Sequence, residues 1–208
     1  MANILFVKAN NRPAEQAVSV KMYETFLQNY KESHPSDVIT ELDLYKEQLP
    51  YYGNETISAT MKLSKGNDLT EEEKHALTIA DRYLDQFVAA DKIVIAFPLW
   101  NFTAPAPLIS YIAYIVRAGK TFKYTPEGPV GLMGDKKVVL LHARGGVYSE
   151  GPMVSMESAI KPLKKALSLF GILQPIEVII EGHHKFKDRA EEIISEGLKE
   201  TAKVANSF

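Results

Sequence analysis

Short apolar strands alternate with amphipathic helices along the whole of this chain, and that alternation leaves few folds open to it. Ile4–Val7, Ile93–Phe97, Val138–Leu141 and Ile176–Ile180 are apolar at nearly every position and too short for helices. Residues 38–44 instead alternate, with Val38, Thr40, Leu42 and Leu44 on one face, as suits a strand at a sheet edge. Helical periodicity fills the intervals. Val18, Met22, Phe26 and Tyr30 recur every four residues. Thr70 and Glu73 form a capping-box pattern that opens a helix running through Ala90. Leu108–Ala118, Met156–Phe170 and Arg189–Ala205 read as three more helices. A helix between successive strands implies parallel pairing, with the helices covering both faces. Right-handed crossovers then give an α/β fold, a doubly wound five-stranded parallel sheet. Residues 1–208 show no composition shift that would mark a second domain. Residues 46–68 read as a polar, irregular excursion, and Gly119–Gly134 as a stretch rich in glycine and proline.

Composition excludes several classes of function. There is no cysteine, so disulfides, thiolate catalysis and cysteine metal sites are ruled out. The formal net charge of -2 offers no basic surface to nucleic acid or to an anionic membrane. The longest apolar region, Leu108–Val116, is too short to span a bilayer. The first residues lack the basic leader and apolar length of a signal peptide, so a cytoplasmic protein is expected. His34, His75 and His142 are isolated, and adjacent side chains at His183 and His184 point in different directions, so no metal site is expected. No G-x-S-x-G context surrounds Ser149 or Ser155, which argues against hydrolase chemistry.

In an open parallel sheet, ligands bind beyond the carboxyl ends of the strands, where the strand order reverses. Three loops lie there: Lys8–Ser19, Pro98–Pro107 and His142–Pro152. The first enters a helix N-terminus, whose free N–H groups and dipole suit a phosphate. It holds no glycine and is neither GxGxxG nor a P-loop; Asn10, Arg12 and Ser19 are its side-chain donors, and an ordinary turn is the plain alternative. In the second, Pro98 ends the strand cleanly, and Pro105 and Pro107 hold off the next helix. Trp100 brings a broad apolar surface and Asn101 an amide that both donates and accepts, a pairing that suits a planar heteroaromatic ring. In the third, Gly145 and Gly146 permit close approach of backbone to a flat ligand, beside Arg144 and Tyr148.

The segments VIAFPLWNFTAPAPL, RAGKTFKYTPEGPVGL, ARGGVY and IIEGHHKF occur in this order. Together they resemble the FMN-dependent NADH:azoreductase family, which is similar to the flavodoxin-like quinone reductases, over nearly the whole chain. The resemblance implies a flavodoxin-like sheet, bound FMN, and NADH or NADPH as co-substrate. It also implies a quinone or azo acceptor and a homodimer with active sites at the subunit junction. By the same resemblance the phosphate falls to Ala17-Val18-Ser19, and the residues of the loop itself add Asn10 and Arg12 as donors. The isoalloxazine falls to Pro98, Leu99, Trp100, Asn101 and Phe102 and to Ala143, Arg144, Gly145, Gly146 and Tyr148. Phe122, Tyr124 and His184 are expected in the substrate pocket, with Tyr51 and Tyr52 as further candidates. The flavin carries the chemistry, so no catalytic side chain is expected. The chain departs from the family pattern at Ala17 and Ala143, where relatives often carry serine, and at Ala113, where many carry an acidic residue. Lys62, Arg117 and Lys185 are the cations that leave NADPH open as a donor. The alternative from another class is an electron-transfer module that holds FMN and docks protein partners; flavodoxins of that kind are typically shorter and strongly acidic.

Overall fold

The computed structural model describes all 208 residues. In chain order its elements are β1 (Asn3–Lys8), α1 (Val18–Ser33), β2 (Val38–Asp43), α2 (Asn54–Leu63), α3 (Glu71–Ala89), β3 (Lys92–Pro98) and α4 (Ala106–Ile115). There follow β4 (Phe122–Thr125), β5 (Gly128–Gly131), β6 (Lys137–Arg144), α5 (Ile160–Leu169), β7 (Ile176–Glu181) and α6 (Ala190–Ser207). The main sheet has five strands in the order β2-β1-β3-β6-β7, and every pairing in it is parallel. β2 lies at an edge, as its alternation predicts.

The strands sort their side chains by parity. Leu5 and Val7, Ile93, Ile95 and Phe97, and Val138 and Leu140 face a core shared with α3, α4 and α5. Ile4 and Phe6, Val94 and Ala96, and Val139 and Leu141 face a second core shared with α1 and α6. Burial on both sides is why these strands are apolar throughout rather than alternating. A full set of large apolar side chains is withdrawn from water on each face, each worth roughly 1.5–3 kcal/mol. At the amino end of the sheet, Asp37 accepts hydrogen bonds from Ala2 N–H at 2.7 Å and Tyr30 O–H at 2.7 Å, with Lys92 Nζ 3.5 Å away. This network ties the start of the chain to the end of α1.

Four local features differ from the sequence reading. Residues 54–63 of the polar excursion are a helix, α2; only Thr56 and Ala59 of it are buried, so it has almost no apolar period to detect. The glycine- and proline-rich stretch contains the β4–β5 antiparallel hairpin, which lies outside the main sheet. α4 begins at Ala106 with Pro105 as its N-cap. Pro107 thus sits in the first turn, where the missing N–H has no intrahelical partner to lose. α5 begins at Ile160, because Gly151–Met156 forms a separate 3-10 turn first. The capping box on α3 is present, with Glu73 N–H donating to Thr70 Oγ1 at 3.2 Å and Thr70 N–H donating to the Glu73 carboxylate at 2.8 Å.

Candidate active site

The strand order reverses between β1 and β3, since the chain leaves β1 toward β2 on one side and returns to β3 on the other. The loops beyond the carboxyl ends of β1, β3 and β6 therefore face a common crevice.

The β1 loop is held by one amide. Asn10 is buried; its Nδ2 donates to Ser19 Oγ at 2.9 Å, and its Oδ1 accepts from Arg12 N–H at 2.9 Å. Asn10 thus fastens the loop to the start of α1 rather than reaching out as a free donor. Because Ser19 Oγ accepts from Asn10, its own O–H proton remains to donate elsewhere. Ala17 caps α1 without a side-chain hydrogen bond, and the N–H groups of Val20 and Lys21 return to Ala17 O. The N–H groups of Val18 and Ser19 have no backbone partner, which is the anion-binding end of a helix.

The β3 loop is a tight turn. Leu99 N–H donates to Ala143 O at 2.8 Å, and Trp100 and Thr103 exchange both backbone hydrogen bonds. The two residues between them, Asn101 and Phe102, have φ of 48° and 66°. A two-residue turn with both φ positive is the mirror-image type that favours asparagine first and disfavours a bulky side chain second. Phe102 is held there by Ser158 N–H, which donates to Phe102 O at 2.9 Å. Just before Ser158, Glu157 is buried; its Oε1 accepts from Ala159 N–H and Ile160 N–H at 2.9 Å each, and lies 3.3 Å from His142 Nε2. His142 Nδ1 in turn lies 3.1 Å from Phe97 O. Burial by itself would raise the Glu157 carboxyl, but the nearby His142 ring and the N–H groups of Ile160 and Ala159 bring it down to about 2.

The β6 loop is shaped by Glu181 at the end of β7. Glu181 pairs with Arg144 at 3.2 Å, accepts from Tyr148 N–H at 2.8 Å and accepts from the Ser149 hydroxyl. Gly145 O accepts from His184 N–H at 2.9 Å, and a Cβ built on Gly145 would lie 2.5 Å from His184 Nδ1. Any side chain at Gly145 would therefore displace His184.

These loops enclose two cavities that share Leu99, Gly145 and His184. The inner one, about 160 Å³, is lined by Asn10, Arg12, Gln16, Ala17, Val18, Ser19, Pro98, Leu99, Trp100, Ala143, Gly145, His183 and His184. The outer one, about 470 Å³, adds Gly146, Val147, Tyr148, Met153 and Lys185. No carboxylate lines either. The inner end suits an anion: it has free helix N–H groups, a serine hydroxyl and Arg12. The outer end suits a flat ring, over glycine backbone and between Leu99 and Tyr148. These are the two ends of a flavin mononucleotide, and the residues present fit it.

Of the predicted site residues, Asn10, Ala17, Val18, Ser19, Pro98, Leu99, Trp100, Ala143, Gly145, Gly146, Tyr148 and His184 come together in this cleft. Asn101 and Phe102 stand at the turn beside it, with the Phe102 ring 6.4 Å from that of Tyr148. Arg144 is buried behind the loop against Glu181. Phe122 is buried in the hairpin and Tyr124 is 75% exposed there; neither lines the cleft. Lys62 pairs with Glu73 and Arg117 with Asp81, so of the three cations considered for NADPH only Lys185 borders the cleft. Sequence reasoning missed Gln16, Val147, Met153 and the supporting carboxylates Glu157 and Glu181. His183, beside His184, is buried and lines the inner cavity. A further cavity of about 500 Å³ lies among α2, α3 and α4, with Tyr51, Glu71, His75 and Tyr114 in its wall. It takes nothing from the strand ends, so size alone does not make it the site.

A family model described as Flavodoxin-like fold matches residues 2–205. A protein of Bacillus cereus named FMN-dependent NADH:quinone oxidoreductase 4 is 64% identical over 208 residues, 100% of both chains. The chain belongs to this flavodoxin-like family of FMN-dependent NADH:quinone oxidoreductases and azoreductases. Solved family members agree with it in shape as well as sequence. The crystal structure of azoreductase from Bacillus anthracis str. Sterne superposes with a TM-score of 0.98 at 63% identity, over 100% of each chain. An FMN-dependent NADH-azoreductase from Bacillus anthracis str. Ames Ancestor, solved in complex with FMN, gives 0.88 at 28% identity, over 100% of this chain and 99% of that one. No helix is long and apolar enough to cross a membrane.

Proposed function

We propose that residues 1–208 act as one FMN-binding domain of an oxidoreductase that passes electrons from NADH to quinones and to aromatic azo compounds. The observation that carries this reading is the carboxylate-free cleft, which joins an open helix N-terminus to a floor of glycine backbone. The phosphate is assigned to the N–H groups of Val18 and Ser19 and the Ser19 hydroxyl, on a loop that Asn10 and Ala17 shape. The ring is assigned to Pro98, Leu99, Trp100, Asn101 and Phe102 on one side and to Ala143–Gly146 and Tyr148 on the other. FMN held by these residues would supply the redox chemistry, two electrons per turnover from NADH or NADPH to an acceptor, with donor and acceptor using the site in turn (ping-pong order) and two turnovers for cleavage of an azo bond to two amines.

The protein's part is binding, orientation and exclusion of water. Trp100 and Tyr148 screen the ring's surroundings, and His184 borders the side where acceptors enter. We assign the working form to a homodimer with active sites at the junction. Tyr51 is 89% exposed, and Ile57, Met61 and Leu63 of α2 are about half-exposed, an apolar surface that a second copy would cover. Tyr124, 75% exposed on the hairpin, would then reach the partner's pocket rather than that of its own chain, with the buried Phe122 ring supporting it. The cytoplasm, where NADH is regenerated, is the proposed location.

The test is anaerobic stopped flow on FMN-loaded protein. NADH alone should bleach the flavin absorbance, and a quinone or azo dye added afterwards should restore it. Flavin that stays yellow with NADH would remove the donor assignment and point to a protein electron donor. Bleaching that needs the acceptor present would remove the ping-pong order.

A further inference from the structure

His183 follows β7 and has no role in the assignments above. It is 8% exposed, lines the inner cavity, and its Nδ1 is buried without a hydrogen-bond partner. Buried polar atoms are normally paired, so this side chain, in the wall of a ligand cavity, lacks a partner that the protein itself does not supply. None of the groups around it is an anion. The β1 loop and the start of α1 contribute Asn10, Arg12, Gln16, Ala17, Val18 and Ser19, and the neighbouring side chain is His184. Pro98, Leu99, Trp100, Ala143 and Gly145 bring no charge. The carboxylate nearest in the chain, Glu181, is engaged by Arg144, Tyr148 N–H and the Ser149 hydroxyl. Burial, and then the neighbouring His184, push the His183 imidazole down to about 4, so by itself it is neutral at physiological pH.

Resting on the FMN assignment, we propose that His183 is a proton-linked ligand of the cofactor's phosphate, taking a proton from solvent as the phosphate monoester enters and donating an N–H to it. A phosphate dianion is the opposite charge that the cavity otherwise lacks, and an opposite charge nearby favours the charged imidazole. Linkage is reciprocal: if phosphate raises the proton affinity of His183, protonation of His183 tightens the phosphate. The advantage of wild type over a His183 variant in retaining FMN would then grow as pH falls toward 6, while riboflavin, which has no phosphate, would show no such difference.

The test is calorimetric titration of apoprotein with FMN and with riboflavin, near pH 6, in two buffers of different ionisation enthalpy. The second phosphate ionisation of FMN lies near pH 6 and contributes to every FMN titration, so it cancels between wild type and variant. Wild type should take up about half a proton or more beyond His183→Asn on binding FMN, as expected for an imidazole brought into the range where it normally titrates. With riboflavin the two proteins should agree. Equal uptake by wild type and variant, with FMN bound by both, would overturn the His183 assignment and leave the FMN reading intact. Failure of wild type to bind FMN would overturn both. A second measurement needs no variant: the His183 ring titration followed by NMR should rise from about 4 to above about 6 when FMN is added. A midpoint that FMN leaves in place would overturn the assignment.

Discussion

Arg144 and Glu181 stand opposite one another at the carboxyl ends of β6 and β7, with Arg144 Nη2 3.2 Å from Glu181 Oε2. The same carboxylate holds Tyr148 N–H and the Ser149 hydroxyl, so one side chain from β7 sets the course of the loop after β6. Glu181→Ala should release that loop and leave Arg144 buried without its partner, which is costly. FMN affinity should fall by 10- to 100-fold, about 1.4–2.8 kcal/mol. Glu181→Gln, which keeps the shape and an acceptor oxygen, should fall between the variant and wild type. Quenching of flavin fluorescence on titration into apoprotein measures both.

The turn at Asn101 and Phe102 separates stability from function. Both residues have positive φ, which asparagine tolerates and phenylalanine does not. Phe102→Gly should therefore raise the stability of the apoprotein by about 1 kcal/mol while weakening FMN retention through loss of the ring. Asn101→Ala should do harm on both counts, losing about 1 kcal/mol together with a polar contact to the cofactor. Urea unfolding of apoprotein and FMN titration, run side by side, check the two effects separately. If Asn101→Ala retained FMN like wild type, the placement of the ring beside this turn would be wrong.

That turn also shows what a sequence reveals about such a site. The apolar run Ile93–Phe97, ended by Pro98, was legible as a buried strand feeding a loop, because period and proline geometry are local properties. The positive φ values were not, since they follow from Thr103 closing on Trp100 and from Ser158 pinning Phe102, and Ser158 lies more than fifty residues away in the chain. The same holds for Glu157 and Glu181, whose partners are brought close only by sheet pairing. α2 was illegible for a different reason. It packs on α3 and buries only two of its side chains, so it has a helix's backbone without a helix's apolar stripe.

The His142–Glu157 pair predicts an acid limit to stability. Glu157 sits at about 2 in the folded chain against an ordinary 4.5, its hydrogen bonds outweighing its burial. A carboxyl lowered by folding stabilises the native state fully above its unfolded value, and that contribution is lost as pH falls toward the folded value. Glu157→Gln should cost about 3 kcal/mol at neutral pH, as for one broken partner of a buried pair. The gap between wild type and variant should narrow between pH about 4.5 and about 2, where wild type loses the same interaction by protonation. Thermal unfolding of both proteins across that range is the measurement; a gap that stays constant with pH would mean that the carboxylate charge is not what holds the α5 start.

Gly145→Ala tests the shape of the cleft with a single methyl group. Gly145 does not occupy the left-handed backbone region, so alanine is allowed there and the fold should lose no more than about 1 kcal/mol. The added Cβ would lie 2.5 Å from Nδ1, 2.9 Å from Cγ and 3.2 Å from Cβ of His184. Turning the side chain about its Cα–Cβ bond can relieve the two shortest contacts and a shift of a few tenths of an ångström the third, so His184 is displaced, and it lies in the wall of both cavities. FMN affinity should drop at least tenfold, about 1.4 kcal/mol, and riboflavin should lose as much, because the obstruction does not depend on phosphate. Removing the obstructing ring should restore binding: His184→Ala should gain more FMN affinity in the Gly145→Ala background than in wild type, and Gly145→Ala with His184→Ala should bind more tightly than Gly145→Ala alone, a coupling that two independent sites would not show. If the double variant binds no better than the single one, the methyl group itself, and not a displaced His184, obstructs the cofactor.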